Sequence, residues 1–131
     1  MTMEMTMLTL SVALLLVLIM IQASAGVLAQ GLEKMAGSRD NLGEPGDFQA
    51  RTKRMVDNHR EGMLLFAPLV IVAAISDVST SLTVLGAQLF FYSRVVHAAL
   101  YMLGTPWVRP AAWAVGIAGC VMIFIELIAA M

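Results

Sequence analysis

Arg94, His97 and Tyr101 are the residues of this sequence whose types and spacing most clearly indicate chemistry. They follow one another at i, i+3 and i+7, so their side chains share one face of a helix. The surrounding residues are apolar, and an ionisable side chain within a bilayer costs about 2.5–3.5 kcal/mol on insertion scales. We interpret the face as part of a functional site. The alternative is that Arg94 forms a structural ion pair with Glu61.

A second polar stripe lies earlier in the chain. At about 100° per residue, its four side chains fall within an arc of about 100° on a helix; they are Arg54, Asp57, Asn58 and Glu61. An internal ion-pair network of Arg54 with Asp57 and Glu61 would also explain this stripe, because opposite charges at helical spacing stabilise a helix.

The two stripes, together with Arg109 at the start of a later apolar segment, predict one polar pocket. Cations outnumber carboxylates in this set, and arginine binds carboxylates through a bidentate fork. Asn58 can donate and accept hydrogen bonds, and Glu61 can accept them from an amine. The pocket therefore suits a small zwitterionic ligand with an excess of negative charge. Its predicted residues are Arg54, Asn58, Glu61, Arg94, His97, Tyr101 and Arg109.

Hydrophobic helices must position these residues. Of the 131 residues, 60% are hydrophobic and 13% are charged, whereas a soluble domain is about half apolar and about a quarter charged. We predict an all-α fold, an integral membrane four-helix bundle in a single domain over residues 1–131. The predicted helices cover about 5–30, 54–76, 82–103 and 110–131, and residues 31–53 form a polar loop.

The positions of the basic residues predict the orientation in the membrane. Lys34, Arg39, Lys53 and their neighbours lie in or beside the first loop, and Arg109 lies in the third. The positive-inside rule then places loops one and three in the cytoplasm and both termini on the opposite side. Ala23–Ala25 also resembles a signal-peptide cleavage site, but no Lys or Arg precedes the apolar core, which favours a retained helix.

Charge and cysteine usage exclude several classes of protein. The net charge of −1 gives no indication of nucleic-acid binding. The single cysteine, Cys120, excludes an internal disulfide and a multi-cysteine metal site. We therefore expect membrane lipid and small molecules as partners, and no metal.

Two blocks of the sequence resemble the MAPEG family (membrane-associated proteins in eicosanoid and glutathione metabolism). Residues Arg51 to Glu61 are similar to the family's second-helix pattern, Arg-x-x-Arg-x-x-x-Asn-x-x-Glu. Residues Gln88 to Tyr101, followed by Gly104, Pro106 and Arg109, are similar to its third-helix pattern. The chain is similar to the microsomal glutathione transferase type, and the resemblance covers about Arg51 to Trp113.

The resemblance implies a homotrimer that binds glutathione between neighbouring subunits at the cytoplasmic side. It implies that Arg54, Asn58 and Glu61 bind glutathione, that Arg94 and His97 line the same site, and that Arg109 and Tyr101 are catalytic. These two would stabilise a glutathione thiolate, which attacks a lipophilic electrophile from the bilayer. The implied function is a glutathione-dependent transferase or peroxidase. The alternative is a non-catalytic lipid-binding or scaffold protein of the same fold.

Three positions depart from the family pattern. Asp57 stands where many members have a basic residue, and would repel a glutathione carboxylate unless Arg54 neutralises it. Pro110 follows the catalytic arginine where some relatives have a serine donor. The first helix lacks the arginine of relatives, and Gln30 or Lys34 would have to replace it.

Overall fold

The structure is a computed structural model that describes residues 1–131, and all of its regular structure is helical. The five helices are α1 (Met3–Gln30), α2 (Leu32–Ala36), α3 (Asp47–Ile75), α4 (Ser81–Leu103) and α5 (Val108–Ala129). The prediction of an all-α chain is confirmed.

Three of the four long helices, α1, α3 and α5, are long and apolar enough to cross a membrane. The remaining one, α4, has 23 residues, but Gln88, Arg94 and His97 interrupt its apolar sequence. The two polar stripes thus lie on the helices whose sequences are least like a plain membrane anchor, since α3 has the lowest hydropathy of the three.

Residues 31–53 do not form a continuous loop, which corrects the predicted boundaries. Gly31, at a φ of +91°, ends α1, and the short helix α2 follows it. Helix α3 begins at Asp47 rather than near Arg54. The residues that extend it are polar, so they produce no apolar signal, but Asp47 in the first turn is favourable at the positive end of the helix dipole.

Helices α4 and α5 cross most closely, because glycines face each other at the crossing. A Cβ on Gly119 would overlap the backbone oxygen of Gly86. A Cβ on Gly116 would lie 2.8 Å from the Ser93 hydroxyl. Small residues allow helix backbones in a membrane to approach and gain packing contacts that lipid cannot supply.

The apolar interior consists of two clusters. In the larger one, the rings of Phe66 and Phe90 stack with centroids 4.0 Å apart, and Ile123 of α5 is fully buried beside them. The smaller cluster joins α1, α3 and α4 through Leu18, Met55, Val56 and Ala98. Large apolar side chains also cover the outside, among them Leu64 and Phe124, which is the distribution that lipid contact favours.

The caps of α4 fix which of its residues reach each end of the molecule. Thr80 and Thr83 form a reciprocal capping box at its start. Gly104, in the left-handed conformation with a φ of +72°, ends it. Helix α5 begins four residues later, at Val108. Tyr101 and Arg109 therefore lie at the same end of the molecule as the residue 31–46 connection.

Candidate functional site

A polar cavity of about 260 Å³ lies where α3, α4 and α5 meet. We call it the His97 cavity. Its lining residues are Asn58, His97, Tyr101, Arg109, Pro110 and Trp113. The structure thus brings together four of the seven predicted site residues, one from α3, two from α4 and one from α5.

Three of these side chains contact one another in a row. The His97 and Tyr101 rings meet edge to face, with centroids 4.9 Å apart. The Arg109 guanidinium carbon lies 4.5 Å from the centre of the Tyr101 ring, a distance at which a cation is attracted by the ring face. Arg109 Nε is buried and has no hydrogen-bond partner. The row therefore holds a positive charge and a phenol side by side at the cavity.

Arg94 lies about one turn of α4 deeper than His97 and is only 2% exposed. It packs against Gly62 of α3, where an added Cβ would lie 3.2 Å from Arg94 Nη1. Its Nε and Nη2 atoms are buried without a hydrogen-bond partner, and it takes part in no ion pair, so the alternative pairing with Glu61 is not formed. A buried charge without a partner is destabilising, so the Arg94 donors are available to an anionic ligand or to water.

The ion pairs of α3 differ from the predicted network. Asp57 pairs with Lys53 Nζ at 2.7 Å and with Arg60 Nη1 at 3.7 Å. Neither Arg54 nor Glu61 takes part. The carboxylate of Asp57 is therefore neutralised without Arg54, which remains available to a ligand.

Arg54 lines a different cavity, of about 390 Å³, between α1, the α2–α3 connection and α3. We call it the basic cavity, because Arg39, Lys53 and Arg54 line it and no carboxylate does. Glu61 is exposed and lines neither cavity. Within one chain, therefore, neither Arg54 nor Glu61 lines the His97 cavity.

Gln30 and Lys34 do not take the place of a first-helix arginine in the His97 cavity. The Gln30 side chain donates to the Gly43 carbonyl oxygen at 3.1 Å and accepts from the Gly43 backbone N–H at 3.0 Å. This pair of bonds fixes the polar connection to the end of α1. Lys34 lies in α2 and is exposed.

Sequence reasoning missed three residues of the site. Trp113 and Pro110 line the cavity, whereas a tryptophan near a helix start is usually read as an interfacial anchor. Gly62 makes room for Arg94 and Phe90. A glycine inside a helix lowers helix stability by about 1 kcal/mol relative to alanine. The glycine beside Glu61 was therefore a sequence signal that a neighbouring side chain packs closely there.

A comparison with models of protein families gives one finding for almost the whole chain. The model described as MAPEG family matches residues 8–129, which include both polar stripes and Arg109. The comparisons with curated proteins and with solved structures gave no match.

Proposed function

Because the chain belongs to the MAPEG family, we propose that it is a glutathione-dependent membrane transferase or peroxidase that acts on lipophilic electrophiles. Membership and the three apolar helices make the chain an integral membrane protein. Membership also implies, in general terms, a role in glutathione-related transfer or eicosanoid synthesis. Members generally use glutathione as substrate or cofactor and generally assemble as trimers.

The unpaired Arg94 beside the His97 cavity is the observation that carries this proposal. Four buried polar atoms around the cavity lack partners: Asn58 Oδ1, Arg94 Nε, Arg94 Nη2 and Arg109 Nε. Three of them are donors on cations, and one is an acceptor. Glutathione offers two carboxylates to the donors, and its ammonium and amide N–H groups to the acceptor. The residues present therefore fit the ligand.

One chain alone does not complete the site. The His97 cavity, at about 260 Å³, is smaller than the about 300–1,000 Å³ of typical ligand pockets. Glu61 is an exposed carboxylate without an ion pair on a candidate membrane span, a position that is costly against lipid. We propose that the chain forms a homotrimer of four-helix subunits. A neighbouring copy would then shield Glu61 from lipid and complete the cavity, so that Arg54 and Glu61 also contact the ligand.

The basic residues support the proposed orientation. Lys34, Arg39, Arg51, Lys53 and Arg54 precede or begin α3, and Arg109 begins α5. This end of the molecule, which contains the His97 cavity, is then cytoplasmic, and both termini lie on the opposite side. A cytoplasmic opening gives a water-soluble thiol direct access to the site.

The chemistry follows from the row of His97, Tyr101 and Arg109. Glutathione supplies a thiol, which is largely protonated at neutral pH and reacts as its thiolate. A nearby cation and a hydroxyl donor favour the thiolate over the thiol. Arg109 provides the charge and Tyr101 provides the hydroxyl. The two residues therefore stabilise the glutathione thiolate relative to the thiol. The thiol proton passes to water as the thiolate forms. In the transferase reaction the sulfur then forms a bond to the electrophilic carbon while the leaving group departs with the electron pair of the bond that breaks.

An apolar groove beside the cavity supports a lipophilic second substrate. The groove has a volume of about 470 Å³ and lies on α4 and α5. Val96 and Ala112 line it and are the chain neighbours of His97 and Trp113, which line the His97 cavity. A lipophilic molecule at this end of the groove would lie near the His97 cavity, on the adjoining faces of α4 and α5.

An assay with glutathione and an electrophilic aromatic halide tests this function. We expect the purified protein to show turnover, a thiolate absorbance band on adding glutathione, and glutathione binding by calorimetry. Absence of turnover, of the absorbance band and of binding would contradict the proposal.

One observation favours a second function, a non-catalytic lipid-binding or scaffold protein of the same fold. Pro110 lines the His97 cavity and has neither a side-chain donor nor a backbone N–H. This function predicts saturable lipid binding without dependence on glutathione. Turnover in the parent protein that is lost in Glu61→Ala would rule it out.

A further inference from the structure

The end of the molecule opposite the His97 cavity contains a buried carboxylate. Glu4, in the first turn of α1, is only 2% exposed. Its Oε1 atom accepts hydrogen bonds from the hydroxyls of Ser79 and Thr83, which lie just before and just inside α4. Its Oε2 atom is also buried, but it has no hydrogen-bond partner. Half of this carboxylate is therefore unsatisfied by the chain.

Glu4 lines a cavity of about 120 Å³, which we call the Glu4 cavity. The other side chains with oxygen atoms around it are those of Thr2, Asp77 and Ser79, and the rest of the wall is alanine and valine at the end of α3. The carboxyl end of a helix carries a partial negative charge. Two carboxylates, two hydroxyls and the carboxyl end of α3 thus converge on one small space, beside the amino ends of α1 and α4.

No basic side chain offsets this negative charge. The eight Lys and Arg residues of the chain fall between Lys34 and Arg60 or at Arg94 and Arg109. None occurs in α1, between Glu61 and Ser93, or after Arg109. Lys and Arg are thus confined to the other half of each long helix and its connections, and no Lys or Arg lies near the Glu4 cavity.

We propose that the Glu4 cavity binds a hard cation, with Ca²⁺ as the best-matched ion, which revises the expectation from the sequence that the chain binds no metal. Ca²⁺ takes oxygen ligands, including carboxylates, backbone carbonyls and water, and its charge equals that of Glu4 and Asp77 together. The chain has no group of three or more His, Cys, Asp and Glu side chains that could hold a metal, so most ligands would be hydroxyl, carbonyl and water oxygens. With only two carboxylates, we expect a dissociation constant on the order of 10⁻⁴–10⁻³ M.

The bound ion would join α1 to the turn between α3 and α4. Glu4 belongs to α1, and Asp77 and Ser79 lie in that turn. The site would stabilise the packing of α1 on the α3–α4 turn, and it is independent of glutathione binding at the opposite end. The competing explanation is that Glu4 is a neutral carboxylic acid, whose own proton satisfies the second oxygen.

The test compares thermal unfolding of chelator-treated protein in uncharged detergent, with Ca²⁺, Mg²⁺ or Na⁺ added at constant ionic strength. We expect Ca²⁺ to raise the Tm of the parent protein by several degrees, and Mg²⁺ and Na⁺ to raise it less. Asp77→Asn, at an exposed position, should bind Ca²⁺ about tenfold more weakly, and Glu4→Gln should lose the effect. Glu126→Gln is the matched control, because Glu126 lies outside the cavity, and it should respond as the parent does.

Two results would overturn the proposal. One is a Tm that no cation changes, or that Ca²⁺ raises equally in the parent and in Asp77→Asn. The other is an infrared carbonyl band of a neutral carboxylic acid in the parent, in the presence of Ca²⁺, that disappears in Glu4→Gln. Should Glu4→Gln fail to fold, Asp77→Asn and calorimetric Ca²⁺ titration of the parent decide the question.

Discussion

The guanidinium of Arg109 lies against the Tyr101 ring at the wall of the His97 cavity, so its charge is next to the place proposed for the thiol. We expect Arg109→Ala to reduce thiolate formation and turnover by about 10²-fold, the usual effect of removing one group that stabilises a developing anion. Glutathione affinity should change by much less. Absorbance of the thiolate and calorimetric binding measure the two effects separately.

Arg60→Ala is the matched control for this prediction. Arg60 is also an arginine in the half of the molecule that contains the His97 cavity, but it is exposed and pairs only with Asp57. Its removal should leave both thiolate formation and binding nearly unchanged. Equal losses of binding and thiolate in Arg109→Ala would show that Arg109 binds the ligand without activating it.

Arg94 is the second residue whose substitution should change glutathione binding. Its guanidinium is buried without a partner, so a ligand carboxylate would form charge-assisted hydrogen bonds of about 1.5–3 kcal/mol with it. Arg94→Ala should therefore weaken glutathione binding by about 10–10²-fold and leave the assembled protein intact. A dissociated oligomer with unchanged activity per folded assembly would instead assign Arg94 a structural role.

The residue types of the site were predictable, but their grouping was not. Helical spacing places Arg94, His97 and Tyr101 on one face, and all three lie at or beside the His97 cavity. The same reasoning grouped Arg54 with Asn58, yet they line different cavities. Periodicity gives the angular position of a side chain around the axis of its helix. Which cavity the side chain lines depends on where α1, α4 and α5 cross that helix.

The close crossing of α4 and α5 depends on the absence of a side chain at Gly119. We expect Gly119→Val to destabilise the protein by about 1–3 kcal/mol or more, because the added atoms meet the backbone of Gly86 and overpacking costs that amount. Thermal unfolding in detergent measures the effect. Ala118→Val, one residue earlier and exposed, should leave the Tm nearly unchanged, and an equal loss there would contradict the close crossing.

The four long helices were largely predictable from the sequence, because long apolar runs predict membrane helices. The errors came where polar residues continue a helix. The segment from Asp47 to Lys53 is helical but has no apolar stripe, and α2 follows a glycine that normally ends a helix. In both segments local backbone hydrogen bonds form the helix, and the hydrophobic pattern of the sequence does not predict them.

At the scale of the whole molecule, the incomplete His97 cavity and the exposed Glu61 predict an assembly. We expect native mass spectrometry of the protein released from mild detergent to show three copies, and glutathione to bind only to that species. Glu61→Ala should reduce glutathione binding in the trimer. A monomer that binds glutathione as tightly as the oligomer would contradict a site shared between copies.

An electron cryo-microscopy map of the protein with saturating glutathione in lipid nanodiscs would show whether glutathione binds between copies of the chain. We expect three-fold symmetry and glutathione density at each junction between copies, with a carboxylate at Arg94 and the thiol beside Arg109 and Tyr101. A well-resolved map in which these residues contact no ligand, or in which glutathione lies elsewhere, would contradict it.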